Sequence, residues 1–272
     1  MLNMKICGLQ KVSTIDYLGE ICCVIFLKGC NFRCGFCHNP SLVIWGDGEE
    51  FSEEYVLDFL KSRVGKLDAV CISGGEPLMS LDFDFVRSIK DMGYKIKIDT
   101  NGSFPARLKE MIDLGLVDYV AMDVKSCRED YSLVVNADVD LGAIEESMRI
   151  VYDFGMRKRN TDDTDGHGFG GGGKGEGKVY TRTSADFRGL GRSEFRTTVV
   201  GRLHSVDSIV SMGKWVSGVC GGKGGRFFLQ GFKSGKEMVD SSFGNEVSVK
   251  EEFLLELKGL VGEYFGEVDI RV

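Results

Sequence analysis

The chain has 272 residues, with 34 Lys plus Arg against 41 Asp plus Glu and a formal net charge of −7. That balance leaves no basic footprint for nucleic acid across the chain as a whole, so nucleic acid is disfavoured as a partner. Nine cysteines, an odd number with three of them in residues 30–37, do not make the pattern of a secreted disulfide scaffold. No apolar run reaches the roughly 18 residues of a membrane span, and the opening MLNMKICGLQ is not an arginine-rich or apolar leader. The expected setting is a reducing cytoplasm, with no membrane partner.

In chain order, the first strong element is ICCVIFL at 21–27, an apolar run of strand length that ends at Lys28-Gly29. The cysteine loop follows at once. Apolar residues at helical spacing then run from 51 to 64, with Ser52 as the cap and Glu53 and Glu54 in the first turn. Strand-like DAVCIS at 68–73 leads into Gly74-Gly75-Glu76-Pro77, and 82–92 suits a helix. KIKIDT at 95–100 reads as a strand, 104–114 as a helix, 117–124 as a strand and 141–154 as a helix. Residues 157–193 break this rhythm. Glycine dominates 166–177, so a flexible insertion with little to bury is expected there. Beyond it, strand 194–200, helix 205–216, strand 226–232 and helix 249–264 resume the alternation, and VDIRV suits a short edge strand.

Strand and helix periods that alternate at this length indicate parallel strands with crossover helices. The expected fold class is α/β, a partial (β/α)6 TIM-like barrel of parallel strands. It forms one domain over 1–272, with 157–193 as its insertion. The polar and glycine-rich motifs all follow strands, at the ends where such sheets place their sites.

Residues 30–37 read CNFRCGFC. Thiolates at C-x3-C-x2-C suit an iron–sulfur cluster or zinc. Three cysteines can hold three irons of a cubane and leave the fourth open. A structural zinc wants four ligands, and only His38 stands ready beside the single CxxC pair of Cys34 and Cys37. Plain buried thiols are the third alternative. Cys22, Cys23 and Cys71 sit in strand-like runs and read as small core residues.

VIFLKGCNFRCGFCHNP at 24–40 resembles the signature of the radical S-adenosylmethionine superfamily. GLQKVSTIDYLGE (8–20), ISGGEPLM (72–79), KIDTNG (97–102), DYVAMDVKS (118–126), EFRTTVV (194–200) and FLQGF (228–232) extend the resemblance. Together they are similar to activating enzymes of glycyl radical enzymes, most of all those of anaerobic ribonucleoside-triphosphate reductase. Such relatives read DYPG where this chain has Asp16-Tyr17-Leu18-Gly19, and they have a shorter connection in place of 157–193.

The resemblance implies a [4Fe–4S] cluster on Cys30, Cys34 and Cys37, with S-adenosyl-L-methionine bound at its open iron. An electron then cleaves the sulfonium bond to give methionine and a 5′-deoxyadenosyl radical, which abstracts hydrogen. The implied partner is a glycyl radical enzyme, with reduced flavodoxin or ferredoxin as electron donor. Pyruvate formate-lyase or a small molecule is the alternative target, and a zinc-stabilised binding protein the non-enzymatic one.

The residues implied to contact the cofactor are Phe36, His38, Gly74, Gly75, Glu76, Pro77, Thr100, Asn101, Asp123, Lys125 and Arg196. Several have a plainer reading. Glu76 can be a solvated turn residue, and Asn101 the cap of an Asn-Gly turn. Asp123 and Lys125 can form a strand-end salt bridge, Arg196 can be exposed on its strand, and Asp99 can point into the barrel. His204 in GRLHSV reads as a loop residue, and His167 falls in the glycine-rich stretch.

Overall fold

The structure is a computed structural model that describes residues 3–43, 50–156, 191–235 and 237–272. The chain builds β1 (Ile6–Ser13), β2 (Cys22–Leu27), α1 (Pro40–Val43), α2 (Glu53–Lys61), β3 (Ala69–Gly74) and α3 (Phe83–Asp91). It continues with β4 (Lys95–Thr100), α4 (Pro105–Asp113), β5 (Tyr119–Asp123), α5 (Tyr131–Val135) and α6 (Leu141–Met156). The last part is β6 (Ser193–Val199), α7 (Val206–Val219), β7 (Gly224–Gly231), α8 (Glu251–Val261) and β8 (Phe265–Arg271).

All eight strands join one sheet in sequence order. β2 to β8 are parallel, each next strand reached through helix. The six expected βα units are therefore β2 to β7 with their helices. Each edge carries one further strand. β1 pairs antiparallel with β2 through a register broken in two places, and β8 pairs parallel with β7 over a longer stretch than VDIRV.

Alternation along the strands sorts side chains onto two faces. Ile25, Val70, Ile72, Ile96, Ile98, Val120 and Met122 pack with the helices in the main core. Cys22, Val24, Cys71, Tyr119 and Ala121 form a smaller cluster on the other face, closed by Tyr17 from the β1–β2 connection. From β4 onward that inner face turns charged, with Lys97, Asp99, Glu194 and Arg196. Ser52 caps α2 as expected, its hydroxyl accepting from the Tyr55 N–H at 3.1 Å.

Residues 157–190 of the expected insertion, with His167, lie outside the described residues. Its last residue, Ser193, opens β6, and its hydroxyl donates to the Val151 carbonyl at 2.8 Å. The Arg192 guanidinium lies 4.4 Å over the Phe154 ring. The chain thus leaves α6 and enters β6 at neighbouring points, at the N-terminal end of that strand. Among the described residues, no helix is long and apolar enough to cross a membrane.

Candidate functional site

β2 delivers the chain straight into the cysteine loop, which three other segments hold by their backbones. Gly29 N–H donates to Leu42 O of α1 at 2.7 Å, and Arg33 N–H to Val135 O of α5 at 2.9 Å. From the β7–α8 connection, Val239 N–H donates to Cys37 O at 3.2 Å and Asp240 N–H to Gly35 O at 3.0 Å. Phe243 of that connection lies against Phe36, ring centroids 6.2 Å apart, and a Cβ on Gly35 would come within 2.6 Å of it.

The Gly74-Gly75 turn is pressed against the same stretch. Gly75 N–H donates to Leu27 O at 2.9 Å and Glu76 N–H to Gly29 O at 2.8 Å. Gly74 adopts φ +125°, and a side chain there would run into the Leu27 backbone. A side chain on Gly75 would run into the Gly29 carbonyl. These glycines therefore admit neighbouring backbone, which packs the turn against the start of the cysteine loop.

A cavity of about 320 Å³ opens between the cysteine loop and the C-terminal ends of β3 to β7. Cys30, Cys34 and Cys37 form one side of it, with Phe36 and His38. Gly74, Gly75, Thr100, Asn101, Asp123, Lys125 and Arg196 are among the residues that line the rest. His38 packs on Phe232 with ring centroids 5.4 Å apart.

Two expected residues are placed elsewhere. Glu76 and Pro77 are buried behind the wall of the cavity. The Glu76 carboxylate accepts from the Thr100 hydroxyl at 2.8 Å, from Asn101 N–H at 2.6 Å and from Leu78 N–H at 3.1 Å. It organises the two cavity residues Thr100 and Asn101 from behind and is not solvated. Burial pushes its pKa up to about 7, against the pull of those three donors. Glu76→Gln sets an amide NH₂ against a backbone N–H in either orientation. An orphaned buried donor costs about 1–3 kcal/mol. Urea unfolding of the metal-free chain is expected to show a loss of that size.

The charged inner face forms one connected set. The Arg196 guanidinium pairs with Asp123 through Nε and with Asp99 at 3.2 Å. Lys125 Nζ meets Asp123 at 2.9 Å, and Lys97 Nζ meets Asp99 at 2.8 Å. Burial alone would raise both carboxyls, but their cations overcome it and hold them below the ordinary carboxylate range, Asp123 well below. The strand-end salt bridge is thus present, and Arg196 joins it with a side chain only 12% exposed.

Sequence reasoning missed Asp16, Ser73, Thr198 and Gln230, which also line the cavity, and left Asp99 as an open reading. Thr198 and Gln230 were readable in principle. Thr198 stands two residues from Arg196 on one strand, and Gln230 opposite Thr198 on the next. Asp16 arrives from the β1–β2 connection, which the strand-end rule does not cover.

The donor set fits a [4Fe–4S] cluster. Three soft ligands border one cavity, and N–H groups already point at sulfur. Phe32 N–H lies 3.4 Å and Asn101 Nδ2 3.9 Å from Cys30 Sγ. Hydrogen bonds of that kind tune a cluster's thiolates. Burial pushes Cys30 up to about 12 and Cys34 up to about 11, so iron must displace protons to bind. Among the described residues, no three His, Cys, Asp or Glu side chains converge closely enough to hold one metal ion. A cubane needs no such convergence, because each cysteine meets its own iron.

Comparison with known proteins agrees. A protein of Methanocaldococcus jannaschii, named provisionally as a glycyl-radical enzyme activating enzyme, is 41% identical over 133 residues, 47% of this chain and 53% of that protein. The pyruvate formate-lyase-activating enzyme of Listeria monocytogenes is 31% identical over 140 residues, covering 47% of this chain and 56% of its own length. The pyruvate formate-lyase 1-activating enzyme of Escherichia coli is 30% identical over 137 residues, 46% of this chain and 54% of its own. The chain spans about half the length of the curated relatives it matches.

In fold, the chain is similar to TYW1 with a lysine-pyruvate adduct (TM-score 0.53, 10% identity, 90% of this chain and 74% of that one). It is also similar to anSMEcpe with bound AdoMet (TM-score 0.51, 14% identity, 90% and 61%). The model of the Radical SAM superfamily matches residues 24–169, just over half of the chain. That span starts inside β2 and carries all three cavity cysteines, the Gly74-Gly75 turn, Asp123 and Lys125, so the chain belongs to the Radical SAM superfamily.

Proposed function

We propose that this chain is a radical S-adenosylmethionine activase that installs a glycyl radical in a partner enzyme, with anaerobic ribonucleoside-triphosphate reductase as the foremost candidate. The observation that carries the reading is the set of Cys30, Cys34 and Cys37 facing a polar cavity, in a chain whose relatives are named as glycyl-radical activators. Held by Cys30, Cys34 and Cys37, the cluster would supply the single electron for reductive cleavage of the sulfonium C–S bond of S-adenosylmethionine, which would provide the hydrogen-abstracting power needed at a glycine Cα. Reduced flavodoxin or ferredoxin supplies that electron.

The protein's own residues do the positioning. Gly74 and Gly75 offer backbone to the cofactor's amino group. Asp123 and Lys125 meet its ribose and carboxylate, and Thr100 and Asn101 stand beside them. Phe36 and His38 lie on the side of the adenine. Arg196 is held between two carboxylates and sets their geometry. We take 1–272 as one domain with 157–193 as its insertion. None of the nine cysteines is paired in a disulfide, which suits the reducing cytoplasm as its location.

A second target has support of its own, because the Listeria and E. coli relatives are named for pyruvate formate-lyase. The test mixes the anaerobically reconstituted chain, reductant and S-adenosylmethionine with each candidate enzyme from the same genome. Electron paramagnetic resonance then looks for a glycyl doublet. A doublet with the reductase establishes the foremost reading, and one with the lyase alone moves the partner. A reduced cluster that consumes the cofactor but gives no doublet with either would reject the activase reading.

A further inference from the structure

His204 lies outside the cavity wall and has no part in the chemistry above, yet it is only 2% exposed. It closes the turn after β6, directly before the α7 cap Ser205. Its Nδ1 accepts from Val200 N–H at 2.9 Å, so Nε2 carries the proton and donates to the Lys125 carbonyl at 2.8 Å. Burial lowers the pKa of the ring, which keeps it neutral and preserves this donor-acceptor pair.

Lys125 needs such a partner. It stands two residues past the end of β5, where the sheet no longer satisfies its backbone. Its carbonyl is taken by His204, and its N–H points to the Tyr131 hydroxyl at 3.4 Å. Its side chain turns the other way, lining the cavity and pairing with Asp123. The peptide that carries this ammonium is thus fixed by side chains from two other elements.

We propose that His204 is a positioning residue for Lys125: its Nε2–H anchors the Lys125 peptide and so sets where the ammonium stands in the cavity. The proposal rests on the reading that the cavity binds S-adenosylmethionine. Lys125 acts on the ligand, and His204 acts through Lys125.

The test is equilibrium binding of S-adenosylmethionine to the cluster-loaded chain, with iron content measured alongside. Gln reaches as far as the imidazole Nε2, whereas Asn can still accept from Val200 but falls short of Lys125. His204→Asn is expected to raise Kd about 10-fold, the lower end for loss of an outer contact that orients a ligand-holding group. His204→Gln is expected to restore it. In a Lys125→Met background, His204→Asn is expected to add nothing, because coupled residues are not additive. A merely structural role would lower iron content and melting temperature equally in both backgrounds.

Tyr131→Phe removes one hydroxyl, leaves the ring packing, and keeps the test open if His204→Asn does not fold. It is expected to weaken binding about 3-fold. Unchanged Kd in every variant that folds, with Lys125→Met weakened, overturns the inference alone. Unchanged Kd in Lys125→Met, or no binding by the parent chain, overturns the reading of the cavity beneath it.

Discussion

Cys34→Ala is expected to bind no stable cluster and to lose reductive cleavage of S-adenosylmethionine. Cys34 is 8% exposed and sits between the two other cavity thiols, on a loop whose backbone is tied down around it. Loss of an outer partner of a metal ligand costs roughly 10–100-fold in affinity, so loss of a ligand must cost more. The fold should survive. One small side chain is shortened, at a cost of about 1 kcal/mol to the metal-free chain. Iron per chain after anaerobic reconstitution and 5′-deoxyadenosine by chromatography read the first effect, and thermal melting of the metal-free form reads the second. Cleavage at the parent rate would reject the ligand assignment.

Arg196→Ala should be the most destabilising change on the inner face. It leaves Asp99 and Asp123, with side chains 13% and 22% exposed, beside the space of a lost cation, with only Lys97 and Lys125 to answer them. Removing one member of a buried ion pair costs about 3–5 kcal/mol, and the remaining lysines favour the lower figure. The penalty should depend on pH in a definite sense. Both carboxyls are held below the ordinary range in the folded chain. Their ionic contribution is therefore complete above the unfolded value of about 3.9 and is lost as pH falls through the folded values. Parent and variant should differ most at neutral pH and converge below about pH 4. Urea midpoints across that range measure it, and a difference that is constant with pH would contradict the pairing.

The sequence exposed those parts of the molecule whose chemistry is local. The cysteine spacing marks a soft metal site without reference to anything distant, and the alternation of apolar runs marks each central strand because parallel strands are buried on both faces. β1 escaped because ICGLQKVS is an edge strand with one wet face and a broken register, so its residues carry little alternation. The reading of Glu76 as a solvated turn residue failed because a carboxylate beside Gly-Gly reads as polar and outward, whereas it is fully buried. Its true partners are Thr100 and Asn101, 24 and 25 residues away on the next strand end. Asp123 and Arg196 stand directly opposite in register. The alternation of EFRTTVV left Arg196 readable as exposed on its strand, and only the strand order brings it to Asp123. His204 looked idle for the same reason, since its partner Lys125 is 79 residues back.

The most direct measurement is the electron paramagnetic resonance spectrum of the reduced, cluster-loaded chain before and after S-adenosylmethionine is added, since it needs neither turnover nor a partner. A reduced [4Fe–4S] signal whose shape changes on addition is expected, with about four irons per chain, the content of one cubane. The signal should be absent in Cys34→Ala. A signal indifferent to saturating S-adenosylmethionine, or a chain that takes up zinc and no cluster, would contradict the assignment of this cavity.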